Sequence, residues 1–124
     1  MKKILLVAVF FHFMLCAADV TGTWSGSLKG KRPDGADQTD SAYLVLKQQG
    51  DAVTGTAGGT ATDQRPIEKG KLDGDQLTFE ISANSGSFKI ALKLQPDGNT
   101  MIGSIQRERN GAVITGQLEL KREK

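Results

Sequence analysis

From residue 20 onward, apolar and polar side chains alternate with a period of two, in short runs broken by turn residues, and no run keeps a helical period. The stretch Val20-Thr-Gly-Thr-Trp24-Ser-Gly-Ser-Leu28 holds the only tryptophan and sets the pattern. Val20, Gly22, Trp24, Gly26 and Leu28 fall on one face of a strand, and Thr21, Thr23, Ser25 and Ser27 on the other. A chain of such strands buries its apolar faces by packing sheet on sheet or by rolling one sheet into a barrel.

The later runs repeat the pattern. Residues 29–41 are polar, with one proline and two glycines, and are expected as a long loop. In Ala42 to Gln48, Leu44 and Leu46 face one way and Tyr43 and Val45 the other. Gln49-Gly50-Asp51 turns the chain into Ala52 to Ala57, and residues 58–64 read as a second long loop. Arg65 to Leu72 is an imperfect strand, because Ile67 and Leu72 have opposite parity; a bulge near Gly70 reconciles them. Asp73-Gly74-Asp75 is a hairpin turn leading to Leu77, Phe79 and Ile81. Asn84-Ser85-Gly86 precedes the clearest half-buried strand, in which Phe88, Ile90, Leu92 and Leu94 alternate with Lys89 and Lys93. Pro96-Asp97-Gly98-Asn99 leads to Met101, Gly103 and Ile105, and Asn110-Gly111 to Ile114, Gly116, Leu118 and Leu120.

Eight strands in series predict an all-β fold, an eight-stranded antiparallel up-and-down barrel whose closure removes exposed edges; the alternative is a two-sheet β-sandwich. Inward glycines at 22, 26, 55, 103 and 116 suit the bends of a small barrel. Alternate connections share an end, so the loops at 29–41, 58–64, 83–86 and 107–111 form a mouth, and the turns at 49–51, 73–75 and 95–99 close the other end.

Ahead of these strands stand Lys2 and Lys3, an apolar run from Ile4 to Leu15, and Cys16-Ala17-Ala18. This is the pattern of a secretory signal peptide cleaved after Ala18, leaving residues 19–124 as a single domain. The run is shorter than the about 20 residues that a membrane-spanning helix needs, so no transmembrane segment is expected in the mature chain. The alternative is lipid anchoring through Cys16. Either way the destination is the periplasm, the envelope or the medium.

Cleavage removes the only histidine, His12, and the only cysteine, Cys16. With them go the Ser-His-Asp and Cys-His nucleophiles and every Cys/His metal site. It also removes two of 16 basic residues, leaving 14 against 14 acidic ones, a balance that argues against nucleic acid as a partner. Asp51, Asp73, Asp75 and Asp97 sit in turns that favour Asp for backbone reasons, and Glu80 and Glu119 point outward. No enzyme, metal or cofactor is expected. Asp34, Asp37 and Asp40 are spaced by three, unlike a calcium-binding loop.

Lys29, Lys31, Arg32, Arg65, Arg107 and Arg109 approach the mouth, as do Asp34, Asp37, Asp40, Asp63 and Glu108. The near-equal counts favour solvated loops over an anion site. Trp24, Leu44, Phe79, Phe88 and Met101, with Tyr43, either line a ligand cavity or fill the barrel.

Gly22-Thr23-Trp24 at the start of an eight-strand meander resembles the Gly-x-Trp signature of the calycins, which include lipocalins, fatty-acid-binding proteins, avidins and certain bacterial metalloprotease inhibitors. The resemblance implies that Gly22 and Trp24 are structural, Trp24 plugging the closed end beneath Arg122 of the last strand. Thr21-Gly-Thr-Trp24 and Val53-Thr-Gly-Thr56 are also similar to avidin sequences. The biotin site does not carry over, because Gly26 stands where avidins place Asn, and the further tryptophans are missing. The resemblance implies an exported, non-enzymatic protein that holds a small hydrophobic or amphipathic ligand. That requires a cavity of about 300 Å³ or more. The alternative is an interaction or inhibitor module for an envelope protein, with a solid core and the long loops as its surface.

Overall fold

A computed structural model describes residues 19–31, 35–83, 86–109 and 112–123; the expected signal segment and Arg32 lie outside the described residues. The strands are β1 (Gly22–Lys31), β2 (Asp37–Gln49), β3 (Ala52–Thr60), β4 (Asp63–Pro66), β5 (Glu68–Asp73), β6 (Gln76–Ala83), β7 (Gly86–Leu94), β8 (Thr100–Arg109) and β9 (Ala112–Arg122). Each of β5 to β9 pairs with the next, β9 pairs with β1, β1 with β2, and β2 with β3, all antiparallel. Residue Ala52 of β3 meets Lys71 of β5, which closes the ring. Eight strands therefore form one closed barrel, and the sandwich alternative is set aside. The extra strand, β4, lies along the far half of β3. Among the described residues no helix is long and apolar enough to cross a membrane.

The bulge expected near Gly70 lies inside β5. Glu68 pairs with Glu80, but the next pair is Lys71 with Thr78, so β5 carries one residue more than its partner. Lys69 absorbs it with a left-handed backbone, φ 56°. The bulge returns Leu72 to the inside, where it is buried.

The two stretches expected as long loops are mostly strand. β1 and β2 stay paired to Lys31 and Asp37, whose side chains form an ion pair at 2.8 Å, and β3 and β4 stay paired to Thr60 and Asp63. Their polarity has another origin: at the open end of a barrel both faces of the wall meet water, so hydrophilic composition does not exclude a strand.

Burial falls steadily along the barrel axis. The largest fully buried side chains are Val20, Trp24, Leu77, Leu92, Met101 and Leu120, all beside the turns of one end. Directly paired residues share a face, so Trp24 stands beside Leu44, Leu77 beside Leu92, and Met101 beside both Leu94 and Leu120. Farther along the same strands Leu28, Phe88 and Ile105 are only partly buried. At the mouth Ile114 is 44% exposed. The barrel is solid at one end and hollow at the other.

The solid end is fastened by the residues before β1. The Trp24 indole donates to the Val20 carbonyl at 3.0 Å, and the Val20 amide donates to Gln48 Oε1 at 2.9 Å. The Arg122 guanidinium lies 4.4 Å from the centre of the Trp24 ring. It donates to the carbonyls of Thr21 (2.6 Å), Asp19 (2.8 Å) and Gly98 (2.9 Å). One cation thus ties the segment before β1, the β7–β8 turn and the last strand to the ring it covers.

The same turn carries a titrating group. Asp97 accepts from the Asn99 amide at 2.8 Å, and from the Thr100 hydroxyl and amide at 2.9 and 3.0 Å. These donors, Asn99 first, hold its carboxyl below the usual 3.8. A carboxyl that titrates lower when folded stabilises the fold while ionised, and that contribution is lost as the pH falls below 3.8 through its folded value. Asp97→Asn is therefore expected to be less stable than the parent in urea unfolding at neutral pH. The gap should narrow as the pH falls below 3.8 and the folded carboxyl takes up its proton.

Candidate ligand-binding cavity

The hollow end owes its volume to the sizes of facing residues. On β2 and β3 the inner wall is built from Ala42, Ala57, Gly58 and Gly59; across from it β6 to β9 present Phe79, Ile81, Phe88, Ile90, Ile105 and Leu118. Small side chains on one wall leave room that large ones on the other do not fill. The result is a cavity of about 310 Å³, open at the mouth, with Leu28 and Leu44 also in its lining.

Of the five residues expected to line a ligand site, Leu44, Phe79 and Phe88 do so. Trp24 and Met101 do not: both are fully buried in the solid end, because their strands place them beside the closing turns. Tyr43 alternates with Leu44 and is on the outer face.

The rim is polar and faces inward by register. Asp40 pairs with Leu28, Arg65 with Ala57, and Arg107 with Phe88, so each charged residue shares the face of an inward neighbour. Asp40, Asp63 and Arg65 border the cavity. Above it, sharing Leu28, Asp40, Phe88 and Ile105, is a smaller chamber of about 180 Å³ lined by Lys31, Gln38, Arg107 and Thr115 among others. Gln38 donates its amide to Asp40 at 3.1 Å. The Arg107 guanidinium lies 5.5 Å from the centre of the Phe88 ring, and its Nε is buried with no hydrogen-bond partner.

Six cations were expected at the mouth: Lys29 alternates with Leu28 onto the outer face, and Arg107 faces inward. Lys31 is there, held by Asp37, and Arg65 is there on β4; Arg32 and the side chain of Arg109 lie outside the described residues. Treating residues 29–41 and 107–111 as loops hid Asp40 and Arg107 as wall residues. Their signal was parity: Leu46, Leu44 and Ala42 lead back to Asp40, and Met101, Gly103 and Ile105 lead on to Arg107.

No protein-family model matches this chain, and no curated protein matches it. Among solved structures, the crystal structure of Rv2717c from M. tuberculosis is similar over 85% of this chain and 93% of that one, at 14% identity and a TM-score of 0.48.

Proposed function

We propose that this chain is an exported, non-enzymatic binding protein of lipocalin-like design, holding a small apolar or amphipathic molecule inside its barrel. The observation that carries this reading is the 310 Å³ cavity, apolar in its walls, open at one end and stoppered at the other by a solid core. Binding sites for small molecules are concave, mostly apolar and sparsely polar, and this cavity has that character. Trp24 beneath Arg122 gives the plugged end that the calycin resemblance implies. The basic residues, apolar run and small residues of positions 2–18 support export.

Native mass spectrometry of the protein purified from its own host's envelope or medium tests the reading. A reproducible added mass that disappears on denaturation is expected. Ala57→Phe, whose ring would enter the cavity from the small-residue wall, should abolish that mass while folding with a cost of about 1–3 kcal/mol. A bare mass for the parent protein, together with failure to take up an apolar fluorescent dye that the cavity can hold, would overturn it.

A further inference from the structure

Resting on that reading, we propose that the cavity selects amphipathic monoanions, and that Arg107 binds their anionic head in the chamber above the apolar pocket. The first observation is the arginine itself. Buried polar atoms are almost always hydrogen-bonded, and a buried donor left without an acceptor is costly. Arg107 Nε is such a donor, and among the described residues its side chain has no hydrogen bond or ion pair. The second is placement: pairing with Phe88 and Ile114 turns Arg107 to the inner face, and the Phe88 ring lies 5.5 Å beneath its guanidinium. A guanidinium stacked on a ring keeps its edge free for in-plane hydrogen bonds, which matches a carboxylate or similar planar oxyanion.

The surrounding charges narrow the choice. Lys31 is occupied by Asp37 at 2.8 Å, and Asp40 accepts the Gln38 amide across the mouth on β2. Asp63 and Arg65 border the apolar cavity and not the chamber that holds Arg107. Arg107 is left as the inward cation of its chamber, backed by a ring; Asp40 lines the same chamber but makes no ion pair with it among the described residues. Asp40, in the same chamber, would repel a second negative charge, which limits the head to one. Phe88 and Ile105 line both chambers, so a head on Arg107 leads its tail directly into the apolar cavity.

The test compares decanoate, decanol and decylammonium, which share one tail, by calorimetric titration of the mature protein. Decanoate is expected to bind at least about tenfold more tightly than decanol, the worth of one charge-assisted hydrogen bond. Arg107→Gln should erase that difference and leave decanol unaffected, which also shows that the variant is folded. Arg107→Lys should keep only part of the preference, since it retains charge without the planar fork. Equal binding of decanoate and decanol by the parent would overturn the proposal and leave the cavity reading standing. So would tightest binding of decylammonium, which would place the head on Asp40 or Asp63. A preference that survives Arg107→Gln but is lost in Arg65→Gln would overturn it in favour of β4. Binding of none of the three would sink the cavity reading and this inference with it.

Discussion

Trp24→Ala should lower folding stability by about 3–5 kcal/mol, the range for truncating a large buried aromatic. The ring is fully buried beside five other fully buried side chains, so removing it leaves a hole that a rigid set of closing turns cannot collapse. The loss extends beyond volume. The Val20 carbonyl loses its 3.0 Å donor, and Arg122 loses the face it covers while its carbonyl contacts at Thr21 and Asp19 are left to hold a slack segment before β1. Urea unfolding followed by circular dichroism measures this directly. A change under about 1 kcal/mol would mean that the solid end does not depend on Trp24 and that the plug is another residue.

Gly103→Ala is the second large effect, and it tests the wall rather than the core. A β-carbon at Gly103 would run into the carbonyl oxygen of Ala91 on β7, with Leu92 Cα 2.7 Å away. Backbone cannot rotate out of the way as a side chain can, so the two strands must separate. The expected cost is about 1–3 kcal/mol or more, the range for overpacking, although exchanging glycine for alanine ordinarily stabilises through the unfolded chain. Gly30→Ala supplies the contrast. There the nearest atom to an added β-carbon is Gly116 Cα at 3.9 Å, an ordinary contact, and no positive φ is required. This second variant is expected to be neutral or slightly stabilising, by up to about 1 kcal/mol. If both variants unfold at the same urea concentration, close strand approach at Gly103 does not set the barrel's curvature.

The candidate site was legible only in part, and the reasons are physical. Phe79, Phe88 and Leu44 are large residues on the apolar face of clear strands, and period-two alternation is enough to send them inward. How far along the barrel each one sits is a different question. Trp24 and Met101 have the same alternation, yet their place beside the closing turns puts them in the solid end. Arg107 and Asp40 were concealed for the opposite reason. Near the open mouth an inward position is wet, so charged residues there look like loop residues even though the backbone ladder continues through them.

The calycin resemblance implied Trp24 beneath Arg122; by itself the sequence determined the all-β class, the strand count around the barrel and the bulge near Gly70. These follow from local rules: alternation, turn dipeptides and a parity count that has to reconcile Ile67 with Leu72. Only the tertiary structure decided that the interior is solid at one end and hollow at the other, and that Arg107 looks inward across Phe88. Volume inside a barrel depends on which strands stand opposite each other, here the small residues of β2 and β3 against the large ones of β6 to β9. That relation is between strands far apart in the chain, set by closure and register, and no local pattern carries it.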